Sequence, residues 1–254
     1  MSDNETIKKK RKLKYNTSYS NMSQQATEKI LQVRISNLIM ASIPIEEVLL
    51  PRKAKYDVSD TKEKVYDRLV EYLDCEIYPS AAEDDFTEES TVCDIVNAVL
   101  LPTLSDFRRK SQRSDMKLHK EKEILSIDGE TGGKEEFVIM DFISSKKEEK
   151  ERKFVLVMEA TRSSLAIAFR QLLLALKDMW DTNGAKGVVY GFATTGEDWQ
   201  MVSYNGKFQL MDKFSVMFPS MGKLERKEKW MKAFSVIVDL MYIALEEGGD
   251  VGGN

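Results

Sequence analysis

Over the first hundred residues, apolar side chains recur at steps of three and four, the period of a helix with one buried face. Ile30, Leu31, Ile35, Leu38 and Ile39 carry this spacing within residues 26–50, and Pro44 and Pro51 interrupt it. Val65, Leu69, Val70 and Leu73 repeat it from Thr61 to Leu73. A third helix is expected through Val92, Ile95, Val96, Val99 and Leu100. Its first turn is acidic, where carboxylates meet the positive end of the backbone dipole; Thr87 with Ser90 or Thr91 can cap it, and Pro102 kinks or ends it. The period then changes. Ile124 to Ile127 alternates and stops at Asp128-Gly129, Phe137 to Ile143 is rich in strand formers, and Phe154 to Met158 is an unbroken apolar run of the kind a central strand needs. The last two, joined by the charged turn Lys146 to Lys153, make a hairpin. Helical spacing returns from Ser163 to about Trp180 through Leu165, Phe169, Leu172, Leu173, Leu176 and Met179, and stops at Asn183-Gly184. Gly187 to Ala193 reads as a buried strand, Trp199 to Tyr204 and Phe208 to Leu210 as a hairpin across Asn205-Gly206, and Leu224 to Leu245 as a closing helix.

With 254 residues, 42% of them hydrophobic, the chain can build one large domain or one domain with an N-terminal extension. Cys75 and Cys93 lack metal-binding spacing, and two reduced thiols are expected. His119 is the only histidine, which excludes Ser-His-Asp triads, His-rich zinc sites and HExxH proteases. It sits in a charged stretch and reads as a solvated surface residue. Any chemistry must therefore run on carboxylates, lysines and a bound cation. No apolar stretch suits a secretory signal or a membrane span, so an intracellular, soluble protein is expected.

The net charge of −4 says little; the placement of charge says more. Residues 1–25 read as a disordered tail holding Lys8-Lys-Lys-Arg-Lys-Leu-Lys14, in which Lys8, Lys9, Lys10, Arg11 and Lys12 form a dense basic strip. It resembles a monopartite nuclear localisation signal, which implies a nuclear protein. Arg108 to Lys122 holds seven Lys or Arg against Asp115 and Glu121, a strip able to track phosphates or to be a solvated loop.

From residue 88 the order is helix, three meandering strands, helix, strand. That order, with Gly133-Lys-Glu-Glu-Phe-Val-Ile139 and Phe154-Val-Leu-Val-Met-Glu-Ala-Thr161, resembles the core of the PD-(D/E)XK (restriction-endonuclease-like) nuclease superfamily over about residues 87–210. Gln171 falls in the following helix, as glutamines often do in that family, and Gly191-Phe-Ala-Thr-Thr-Gly-Glu-Asp-Trp199 is similar to the fourth strand and turn of mobile-element-like and effector-like members. The resemblance implies a three-layer α/β/α core with a mixed sheet. The expected domains are the tail 1–25, a helical extension 26–80, a restriction-endonuclease-like domain 81–247 and a tail 248–254.

Phosphodiester cleavage of this type needs oxygens converging on one hard cation, Mg²⁺, with a nearby positive charge. Glu159 ends a buried apolar run, where an isolated charge is costly, and is the leading candidate ligand; capping the next helix or pairing with Arg162 is the alternative. Pairing across a turn centred near residue 149 puts Glu159 opposite residues 138–139, nearly equidistant from Glu136 and Asp141. Glu136 lies at the open end of the hairpin and occupies the family's aspartate position, so it is chosen, with Asp141 in reserve. Glu89, or Glu88 beside it, matches an acid at the head of the family's first helix. The implied metal set is Glu89, Glu136 and Glu159, and the implied catalytic set Glu136, Glu159, Arg162 and Gln171. Thr161 stands where the family has lysine and cannot supply its charge; Arg162, Arg170 or Lys177 would have to replace it. These departures point to a nucleic-acid-associated protein, DNA before RNA, whose nuclease-like domain is catalytically degraded. An active Mg²⁺-dependent endonuclease is the first alternative. A non-enzymatic nuclear interaction or effector protein, capturing a protein partner through residues 26–80, is the second. Oligomeric state is not legible.

Overall fold

The structure, a computed structural model, describes residues 14–52, 55–75, 89–144, 150–162, 164–218, 221–223 and 226–248. The basic run Lys8 to Lys12, the acidic cluster up to Glu88, the charged turn 145–149 and the tail from 249 lie outside the described residues.

The chain is a mixed α/β protein with an open mixed sheet. Its elements in order are β1 (Thr17–Ser18), α1 (Gln24–Leu31), α2 (Ile35–Met40), α3 (Ile45–Leu49), α4 (Ser59–Cys75), α5 (Glu89–Ser111), β2 (Met116–Leu125), β3 (Thr131–Ser144), β4 (Lys150–Ala160), α6 (Leu165–Thr182), β5 (Val189–Thr194), β6 (Asp198–Tyr204), β7 (Phe208–Leu210), β8 (Phe214–Ser215), α7 (Lys227–Ala233) and α8 (Val236–Glu247). Strands β2, β3, β4, β5, β6 and β7 lie side by side; β1 joins the start of β3 and β8 the start of β6. β4–β5 and β1–β3 are parallel and the other pairs antiparallel. One face of the sheet carries a core built with α4, α5, α7 and α8, and the other a core built with α6, Tyr19, Leu31 and Ile35.

Several boundaries move from their expected places. Residues 14–25, expected in a disordered tail, contain β1, the buried Tyr19 and the start of α1, whose Ser23 side chain accepts the Ala26 N–H. Pro102 neither ends nor splits α5, because Val99, Leu100, Leu104 and Phe107 on either side of it are buried in the same core. The strip after Arg108 is no loop: α5 runs to Ser111 and β2 begins at Met116. The closing helix is two helices, broken at Phe234–Ser235, where the Ser235 hydroxyl donates to the Met231 carbonyl.

Helix α6 is held close to the sheet at both ends. A Cβ on Gly191 of β5 would sit 2.4 Å from Leu172, so only glycine permits this approach. At the other end Asn183 clamps β4: the Phe154 N–H donates to its Oδ1 at 2.9 Å, and its Nδ2 donates to the Phe154 carbonyl at 2.8 Å. The clamp falls where the β3–β4 register shifts, from Met140 opposite Phe154 to Ile139 opposite Leu156. The extra residue, Val155, is a bulge.

On the opposite face a buried carboxylate ties three helices together. Asp106 of α5 accepts Thr61 Oγ1 of α4 at 2.5 Å and the Tyr242 hydroxyl of α8, and pairs with Lys110 Nζ at 2.6 Å and with Arg109. Burial alone would raise its pKa; the donors of Lys110, Thr61, Tyr242 and Arg109 outweigh burial and hold the carboxyl well below the usual range. The unfolded chain therefore takes up this proton before the native state does. The stabilisation is complete above the ordinary value of 3.8 and is lost as pH falls below it. Asp106→Ala should cost about 3 kcal/mol at neutral pH, because it strands buried donors; a loss under about 1 kcal/mol in urea denaturation, the range of an exposed ion pair, would contradict the hub.

Candidate functional site

β3 changes neighbours partway along its length. Thr131 and Gly132 pair with β1, and pairing with β4 begins at Phe137 opposite Met158. Residues 133–136 have no ladder partner on that side, and the two glutamates of the motif lie there.

The alternation of side chains also breaks at this point. On the other side of β3 the ladder to β2 runs from Met116 opposite Asp141 to Leu125 opposite Gly132, but the Glu121–Glu136 step is missing and Glu121 has a φ of +52°. Met116 and Leu118 pack into the α5 side and Ile124 into the α6 side; Phe137 and Ile139 pack into the first, Val138 and Met140 into the second. Across the irregularity the faces exchange parity, so Gly133 and Glu135 come to the α6 side. Tyr19 covers Gly133, where a Cβ would sit 2.2 Å from its ring and 2.6 Å from Glu135 Oε1.

Glu135 is 1% exposed and Glu159, on β4, 6%. Their carboxyls lie within hydrogen-bonding reach of each other. A bond between them uses a proton on one of the two, because two carboxylates have no donor between them. Burial pushes the Glu135 carboxyl up to about 7; the bond to Glu159 works against this, and the charges of Glu136 and Asp178 add to it. Glu135 Oε2 is buried with no hydrogen-bond partner. Behind the pair, Asp178 of α6 is 3% exposed and accepts the Tyr19 hydroxyl at 2.6 Å and Thr131 Oγ1 at 3.4 Å. Burial raises its carboxyl to about 6, against the bond from Tyr19.

The residues expected to form the site fall as follows. Glu159 lies within it. Glu136 is at the same place but turns to the backbone, accepting the Ala160 N–H at 3.0 Å in place of the missing strand partner. Glu159 is level with Glu136, not residues 138–139, because the hairpin register is about three residues tighter than a turn centred on 149 gives. Asp141 is far along β3 and held by Arg113 at 2.6 Å. Glu89 begins α5; Val92 and Ile95 lie against Gly196, two residues beyond Thr194, which pairs with Ala160. The head of α5 is therefore at the same end of the sheet as Glu159, while the Glu89 side chain lies outside the described residues. Gln171 is half-buried on α6, seven residues before Asp178 and so on the same side of the helix. Thr161 follows β4, its N–H donating to the Thr194 carbonyl at 2.9 Å, and Arg162 is exposed. Lys177 is tied to Asp181 at 2.6 Å and lies 3.9 Å from Asp178. Among the described residues no group of three or more His, Cys, Asp or Glu is placed to hold a metal ion. Glu135, Asp178 and Tyr19 are additions that alternation and motif matching did not select; the sequence signal for Asp178 is an acid in an otherwise apolar helix stripe.

The three indoles are accounted for structurally. Trp199 and Trp230 are fully buried, and the Nε1 of each tryptophan donates to a backbone carbonyl. Neither Cys75 nor Cys93 is in a disulfide. No described helix is long and apolar enough to cross a membrane. No protein-family model matches this chain, and no curated protein matches its sequence.

The native state holds the Glu135 proton from the ordinary carboxylate range up to about 7, where the unfolded chain has already lost it. Stability therefore falls as pH rises through that window and levels off above it. Glu135→Gln should flatten this slope and raise the melting temperature at pH 8 by several degrees, measured by calorimetry at pH 5 and pH 8; an unchanged slope would contradict the buried pair.

Proposed function

We propose that this is a nucleic-acid-associated protein built on a restriction-endonuclease-like domain that keeps the outline of a cation site and has lost most or all cutting activity. The reading rests on the Glu135–Glu159 pair, two carboxyls brought together from neighbouring strands at the point where β3 exchanges β1 for β4. The order α5, β2, β3, β4, α6, β5 and the position of α5's head beside β4's end are consistent with it.

Bound Mg²⁺ would polarise a phosphate and acidify a water. Glu135 and Glu159 would hold it, after giving up their shared proton, and Glu89 or Glu136 would add the further oxygen that a hard cation needs. The fit is partial. Two carboxyls converge, the third does not among the described residues, and Thr161 brings no charge to the position after Ala160. Lys177 is engaged by Asp181. Loss of the charge that steadies the attacking water is expected to cost cleavage far more than binding. The basic run Lys8 to Lys12 supports a nuclear location, where DNA is the abundant partner.

Incubation with DNA and with RNA, in Mg²⁺ and in Mn²⁺, should show salt-dependent binding to DNA with little or no cleavage. Vigorous cleavage abolished by Glu159→Ala would instead make the protein an active endonuclease, and no affinity for either nucleic acid would overturn the reading. Replacing Lys8, Lys9, Lys10, Arg11 and Lys12 with alanine should disperse a fluorescent fusion from the nucleus; unchanged nuclear accumulation would remove that inference.

A further inference from the structure

The seven cations between Arg108 and Lys122 divide sharply. Arg108 donates to the Ser114 carbonyl, Arg109 and Lys110 pair with Asp106, and Arg113 pairs with Asp141 and donates to the Leu245 carbonyl. All four are structural. Lys117, Lys120 and Lys122, on edge strand β2, form no ion pair among the described residues, and neither does Arg152 of β4. Lys120 lies over Phe137, on the α5 side of the sheet. The others belong to the α6 side, because the irregularity at Glu121 brings Lys122 into line with Lys117 and His119.

These cations gather at one ring. Lys117 Nζ and Arg152 Cζ each lie 5.8 Å from the centroid of Phe142 on β3, and the His119 ring lies 5.7 Å from it. Phe142 is half-buried, whereas Lys117 and Arg152 are exposed. His119 is not the solvated residue its sequence context suggested. It is half-buried, and its Nε2 is buried with no hydrogen-bond partner. Burial, and then the charges of Lys122, Arg152 and Lys117, lower its pKa. Like charges held together with no carboxylate paired to them among the described residues repel one another, and an oxyanion would relieve that repulsion.

We propose that Lys117, His119, Lys122 and Arg152, set around Phe142, form a contact site for the phosphate backbone of DNA. This rests on the nucleic-acid reading above and names the surface that would do the binding. Charge complementarity favours this occupant, and so does position. Lys122 is opposite Glu135, and Phe142 is seven residues beyond Glu135 on β3, or about 23 Å at strand spacing. A backbone lying along β2 would thus run from the ring to the carboxyl pair.

The test is binding of a fluorescent DNA oligonucleotide to the full chain, with the lone histidine's ring protons followed by NMR. Wild type should bind, with the His119 signal shifting on titration. Lys117→Gln combined with Arg152→Gln should bind at least tenfold more weakly, with a log Kd–log salt slope smaller by about 1–2. Both residues are exposed, so this variant should fold; an unchanged melting temperature checks that. Equal binding by wild type and variant, or binding without a His119 shift, would overturn the site while leaving the nucleic-acid reading in place. No DNA binding by wild type would overturn both. A His119 shift with inorganic phosphate but no affinity for DNA would overturn DNA as the occupant.

Discussion

Two carboxyl groups buried against each other cannot both be charged without a counter-ion. At Glu135, beside Glu159, burial pushes the carboxyl up to about 7, so it keeps its proton well beyond the ordinary carboxylate range. Much of the surrounding architecture serves to bring the two together. β3 gives up a strand partner between Gly132 and Phe137, Glu136 accepts the Ala160 N–H, and Gly133 lets the Tyr19 ring close over the site. Tyr19 is itself fixed by Asp178, so the N-terminal segment, the sheet and α6 meet at one acidic point. A structural core has no evident use for such an arrangement, since apolar residues of similar volume would be as stable or more so. That is the physical ground for the cation site proposed above.

The other charged clusters have the opposite character. Asp106 is fully supplied with donors and joins α4, α5 and α8, and Arg113, supplied with acceptors, joins β3 to α8. Satisfied networks of this kind specify packing. Glu135 Oε2 and His119 Nε2, by contrast, are buried and unpartnered, and both lie on the α6 side of the first hairpins. Glu135 Oε2, His119 Nε2, Lys117, Lys122 and Arg152 thus lie on the α6 side, whereas Lys120 and the buried, unpartnered Asn97 Oδ1 and Arg108 Nε lie on the α5 side.

The sequence made the secondary structure largely legible because hydrophobic period is a local property. Phe154 to Met158, the α6 stripe and the Asn205-Gly206 hairpin are all present as read. What could not be read was set non-locally. Strict alternation from Val138 puts Glu136 with the α6 side, and only the irregularity at Glu121 moves Glu135 there instead. Pairing of Ser144 with Lys150 sets a register that would bring Glu159 level with Glu135, and the one-residue bulge at Val155 brings it level with Glu136, short of residues 138–139. Asp178 lies 43 residues after Glu135, and no motif connects them; burial of α6 against β3 does. The basic strip looked uniform because sequence shows charge without partners, and partners separated Arg108, Arg109, Lys110 and Arg113 from Lys117, Lys120 and Lys122.

The account turns on the protonation of one buried carboxyl, and infrared spectroscopy reads this directly from the carboxylic-acid carbonyl stretch. Titration of the folded protein should show a protonated carboxyl surviving to about pH 7 that is missing from Glu135→Gln. If every carboxyl of the wild-type protein ionises within the ordinary acidic range, or if the late band persists in Glu135→Gln, the shared proton is not there and the case for a converging acid pair fails.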